Sequence, residues 1–138
     1  MDIPAGRRWL STALLVAAAY LLIGFAFAWF SDMAATTAMR LMWRRLSWVV
    51  CGVGFAAHIC YEQFRLRSSL RITAFHVALA SALAACGLAV AANVHEWRTA
   101  SSYRPSIAMA LVLWPLLVAV PAFAVAMVAA ALLRRWRE

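Results

Sequence analysis

The sequence predicts an all-α fold, a polytopic membrane protein built as an up-and-down bundle of four transmembrane helices, on two observations. Of 138 residues, 67% are hydrophobic and 13% charged, against roughly 45–50% and 25% in a soluble globular domain. The apolar residues also gather into four long runs separated by short charged or polar segments. That is the pattern of helices that satisfy their own backbone inside lipid. The spans are expected near residues 9–30, 44–64, 70–94 and 106–133, and the whole chain, 1–138, forms one transmembrane domain.

The first run, Trp9 to Phe30, follows Arg7 and Arg8 and is about 33 Å long as a helix, enough to span. Ala26-Phe27-Ala28 looks like a signal-peptidase site, but a signal core has only about 7–15 apolar residues, so the segment is read as a retained span. Ser31 to Arg45 then forms a polar, amphipathic connection, with Trp43 and Trp48 placed as interface anchors. The second run is the shortest. Its uncharged core, Leu46 to Tyr61, reaches about 24 Å, so Arg44, Arg45 and Glu62 must lie at the interfaces or snorkel. The working picture is a long helix from about Ala38 to Arg67.

A basic turn, Arg65 to Arg71, leads into the third run, with Ser68 and Ser69 as helix N-caps. His95, Glu96, Trp97, Arg98, Tyr103 and Arg104 are read as the next loop. Pro105 opens the last helix, where proline is tolerated in the first turn. Pro115 and Pro121 each remove an intrahelical hydrogen bond, so a bend is expected near its middle.

All 13 basic residues are arginine, and the net charge is +8. They sit at the ends of apolar runs and form no stripe on a polar face, which argues for helix anchoring and against nucleic acid. Four spans put Arg7, Arg8, Arg65, Arg67, Arg71, Arg134, Arg135 and Arg137 on one side, eight against five on the other. The positive-inside rule then places both termini in the cytoplasm. If residues 46–61 do not cross, the division becomes nine to four with an external N-terminus. The bracketing Trp48 and Tyr61 favour four. Arginine without lysine, among abundant Ala, Val and Leu, points to a GC-rich bacterial genome and so to the bacterial inner membrane. Cys51, Cys60 and Cys86 all fall within apolar runs without CxxC spacing, which leaves neither a disulfide framework nor a zinc motif.

Two histidines carry the sharpest hint of chemistry. His58 and His76 each lie nine residues from the centre of the basic turn, near residue 67. Antiparallel helices bring them to one depth, where ionisable groups are costly and read as functional. Cys51, Phe55, His58, Glu62 and Arg65 share one helical stripe, which allows a metal or proton-transfer cluster of His58, Glu62 and His76. The plainer reading ranks ahead: each histidine bonds a carbonyl or serine and Glu62 pairs with Arg65. Bis-histidine haem at His58 and His76 is the other cofactor candidate. It needs well-separated helices, whereas helices joined by a short turn are usually neighbours about 8–10 Å apart.

Ala78, Ala82, Ala85, Ala89 and Ala92 repeat at steps of four, three, four and three, a seam of methyl groups that lets helix backbones approach closely. Internal packing ranks ahead of a foreign partner. No nucleophile with a base, phosphate loop or acidic pair is evident, and the loops are short. The expected function is therefore non-enzymatic: a small integral membrane accessory or structural subunit packing against other helices, with lipid and a membrane-protein partner or homo-oligomer around it. The alternatives are a haem- or metal-binding redox or proton-handling protein using the histidines, and a small oligomeric channel or transporter.

Overall fold

The computed structural model describes residues 5–99 and 105–136. It contains four helices: α1 (Ala5–Asp32), α2 (Thr37–Cys60), α3 (Leu70–Thr99) and α4 (Pro105–Arg135), and a π-helical turn, Tyr61–Arg65, prolongs α2. Among the described residues, three segments are long and apolar enough to cross a membrane: Trp9–Asp32, Leu70–Thr99 and Ala108–Arg135. The chain is thus a helical membrane protein. α2, with Arg40, Arg44 and Arg45 in its first half, falls short of that criterion by composition.

Local chemistry sets the boundaries. The α1–α2 connection shrinks to residues 33–36, because the Thr36 hydroxyl accepts the Met39 N–H at 3.2 Å and caps α2 early. The expected loop at His95, Glu96, Trp97 and Arg98 is corrected to helix: α3 continues to Thr99, with Thr99 Oγ1 donating to the His95 carbonyl at 2.8 Å. Polar residues at the end of an apolar run lengthen a helix into the interface when nothing breaks it. Tyr103 and Arg104, also assigned to that loop, lie outside the described residues, as does Arg137. α4 runs through Pro115 and Pro121 as one uninterrupted helix.

α3 is the central element. It packs most extensively on α4 and then on α1. Ala74, Val77 and Ala80 on α3 and Ala126 and Ala130 on α4 are fully buried, and with Ile59 of α2 most of these form a core near the α2–α3 turn. Alanine here brings the backbones together, which supplies packing where lipid removes the hydrophobic drive. A Cβ on Gly87 would lie 2.6 Å from Leu21, and one on Gly24 would lie 3.2 Å from Leu88, so each leucine occupies the space left by the other helix's glycine.

The contacts also fix direction. Leu21 and Gly24 meet Gly87 and Leu88 in parallel order. Along α2 the order reverses: Tyr20 lies against Gly54, whereas Trp43 meets Phe27 in a tilted contact at 6.0 Å between centroids and stacks on Phe30 at 5.0 Å. α2 therefore runs antiparallel to α1 along most of its length. Although a short turn joins it to α3, α2 leans on α1 and touches α3 and α4 only sparsely. For α2 and α3 the expectation that helices joined by a short turn are close neighbours fails, because α3 is taken up by its tighter alanine contact with α4.

Candidate functional site

The π-turn creates the site. Its Leu66 N–H donates to the Tyr61 carbonyl at 3.2 Å and the Ser68 N–H to the Glu62 carbonyl at 3.1 Å. One residue more than an α-turn is accommodated, a device frequent at functional sites. Arg67 then takes a left-handed conformation, φ 51°, which reverses the chain. The result swings Glu62 and Gln63 beneath the start of α3, where both are buried.

The Glu62 carboxylate has no solvent exposure. One oxygen accepts the Ser68 hydroxyl at 2.7 Å and the other the His76 Nδ1–H at 3.0 Å. His58 Nε2 lies 3.9 Å from that second oxygen, as expected for residues four apart on one helical face. Gln63 Nε2 donates to Thr73 Oγ1 at 2.6 Å and to the Ser68 carbonyl at 3.3 Å. From α1, the Trp9 indole lies flat on His76, with centroids 4.7 Å apart and planes 3° from parallel.

Most of these bonds explain themselves as a latch. Glu62 and Gln63 tie the end of α2 to Ser68, Thr73 and His76, and buried polar groups are affordable only when paired in this way. His58 is different. It is 4% exposed, and neither ring nitrogen has a hydrogen-bond partner, so one buried imidazole borders a carboxylate without a structural bond to account for it.

The structure thus brings together His58, Glu62 and His76. Arg65 is exposed, and the carboxylate faces Ser68 and His76. Ser69, not Ser68, supplies the helix cap, accepting the Ile72 N–H at 3.4 Å. Among the described residues no group of three or more His, Cys, Asp or Glu side chains is disposed to hold a metal ion; Glu62 and His76 form a hydrogen-bonded pair, with the His58 imidazole beside it. A haem between His58 and His76 would have to displace the Glu62 oxygen that lies against both rings and the indole that covers one of them. The residues present do not fit it.

The alanine seam divides by position: Ala78, Ala85 and Ala89 are buried, Ala82 is half-buried and Ala92 is exposed. Its buried part is covered within the chain.

No known protein family, characterised protein or solved structure matches the chain. The site therefore rests on its own chemistry. Sequence reasoning missed Trp9, Gln63, Ser68 and Thr73 as members. Periodicity cannot find them, because the π-turn breaks the helical register between Cys60 and Leu66 and Trp9 arrives from another helix.

Proposed function

We propose that this is a proton-handling protein of the bacterial inner membrane, in which His58, Glu62 and His76 take up and release a proton at the base of the α2–α3 hairpin. The observation that carries this reading is His58: a buried imidazole with two unpartnered nitrogens, 3.9 Å from a carboxylate that already holds His76. Imidazole and carboxylate in contact form a proton-sharing unit. The carboxylate also grips Ser68, so a change in its protonation acts on the turn. Other charges at this end include the exposed Arg65, Arg67 and Arg71 of the hairpin, Arg134 and Arg135 of α4, and Arg7 and Arg8, which precede Trp9 on α1.

Four spans with both termini in the cytoplasm suit this reading. From Trp43 to Glu62, α2 and its π-turn extend about 29 Å alongside α1, close to the thickness of a bilayer core. That contact shields one side of a helix too polar to stand alone in lipid.

The test is nitrogen-15 NMR of the histidines in the detergent-solubilised protein during an acid titration. His58 and His76 are expected to respond in one linked step, and Glu62→Gln to separate them. Imidazoles that respond independently in the wild type, or hold one state while the bundle stays folded, overturn the proposal.

A second reading, the accessory subunit or homo-oligomer, keeps one specific support. The outer face of α2 presents Val49 and Val53 at 60 and 65% exposure. The alanine seam no longer favours it, since its buried part is occupied internally. Cross-linking from Val49 in native membranes, followed by mass identification, tests this reading.

A further inference from the structure

The sparse contact of α2 with α3 and α4 leaves a cleft of about 410 Å³ between them. Its walls are mostly apolar and come from all four helices, among them Phe55, Ala85, Leu88 and Trp114, with Gly52 open to it and the buried Tyr20 hydroxyl, which has no hydrogen-bond partner, as its polar exception. At the end away from the histidines lies a second cavity of about 270 Å³, bordered by Ser31, Asp32 and Arg44. Gly24, Ser47 and Trp48 line both. The two therefore adjoin, one polar at the helix ends and the other apolar for about 12 Å along α2, from Ser47 to Phe55.

Two features of the polar end call for a ligand. Ser31 is only 3% exposed, yet its hydroxyl has no hydrogen-bond partner. A buried hydroxyl left this way costs free energy that a ligand acceptor recovers. Beside it stand one cation, Arg44, and one anion, Asp32, with Arg40 and Arg45 also exposed on the first turns of α2.

We propose that this cleft binds a zwitterionic phospholipid, one whose headgroup carries both a phosphate and a primary ammonium. The phosphate takes Arg44 and the Ser31 hydroxyl, since guanidinium and phosphate match as donors and acceptors. The ammonium takes Asp32, and one acyl chain lies in the apolar cleft past Gly52 to Phe55. A purely anionic headgroup leaves Asp32 facing like charge. A wholly apolar occupant leaves Ser31 unsatisfied. The phospholipid is the one common membrane component that meets the cation, the anion, the hydroxyl and the cleft together, and it reaches the site laterally because the cleft opens between helices.

The experiment is native mass spectrometry of the protein exchanged from detergent into mixed micelles containing equal phosphatidylethanolamine and phosphatidylglycerol. One phosphatidylethanolamine is expected to persist on the wild type, several-fold over phosphatidylglycerol. Arg44→Gln should lose both adducts. Asp32→Asn should keep binding but lose the preference. Gly52→Phe, which fills the cleft at a position with no neighbour within 4 Å, should lose the adduct while its thermal melting stays that of the wild type, separating an occupied site from a misfolded variant. Equal retention of the two lipids by the wild type, adducts unchanged in Arg44→Gln and Gly52→Phe, or a protein dimer seated in the cleft in place of lipid would each overturn the proposal.

Discussion

Trp9 and His76 lie face to face, 4.7 Å between ring centroids and 3° from parallel, which ties the first turns of α1 to the buried end of α3. Because Glu62 holds the same imidazole by its Nδ1, the stack and the hydrogen bond orient one ring between them. Such aromatic pairs contribute about 0.5–1.5 kcal/mol beyond the area they bury. Trp9→Leu should therefore lower unfolding stability in detergent by about 1 kcal/mol or more, with Trp9→Phe losing less. Equal melting of all three proteins would make the stack incidental.

The Glu62 latch gives a sharper contrast. Glu62→Ala leaves His76 and Ser68 without partners in a buried site, and truncating one member of such a set costs about 3 kcal/mol. His58→Ala removes no hydrogen bond and should cost less than His76→Ala, which loses both the bond and the stack. A double-mutant cycle on Glu62 and His76 should yield a coupling of about 1–3 kcal/mol. A cycle on Glu62 and Arg65 should yield none, since Arg65 is exposed. The reverse order would restore the pairing that spacing alone suggests.

How much of this was legible beforehand depends on which physics decided it. Apolar runs of 22 residues or more identify α1, α3 and α4 directly, because the hydrocarbon thickness fixes their length. The depth argument from the turn at residue 67 brought His58, Glu62 and His76 to one end, since helical rise and antiparallel sense follow from the chain itself. What stayed hidden was nonlocal or irregular. The π-turn at Tyr61–Arg65 has no period of its own, and it decides that Glu62 faces Ser68 and His76. The lean of α2 onto α1 depends on Tyr20 meeting Gly54 and on Trp43 meeting Phe27 and Phe30, pairs with no spacing in the sequence to announce them.

Topology is testable at two positions. With four spans, a single cysteine at Asp32 should label with an impermeant reagent in intact cells and one at Arg67 should be protected, in a background lacking Cys51, Cys60 and Cys86. If α2 does not cross, both positions lie on one side of the membrane and behave alike. Protection of Asp32 would reverse the orientation that the arginine count implies.

The α3 seam separates internal packing from lipid-facing surface residue by residue. Ala89 is 4% exposed, on a helix held closely by α1 and α4, while Ala92, three positions on, is exposed. Adding three carbons at Ala89 has to push a neighbouring backbone away, and overpacking of this kind costs about 1–3 kcal/mol. Ala89→Leu should accordingly lower the melting temperature of the isolated protein, with Ala92→Leu leaving it unchanged. Gly87→Val belongs to the same argument: even its Cβ would lie 2.6 Å from Leu21, and a branched side chain has less freedom to yield. Denaturant titrations of the three variants in one detergent provide the comparison. A wild-type profile for Ala89→Leu would mean that α3 has room on that face and that the buried seam contributes little to the bundle. A loss confined to Ala92→Leu would point outward, to an interface that only the assembled protein completes, and would return the accessory-subunit reading to first place.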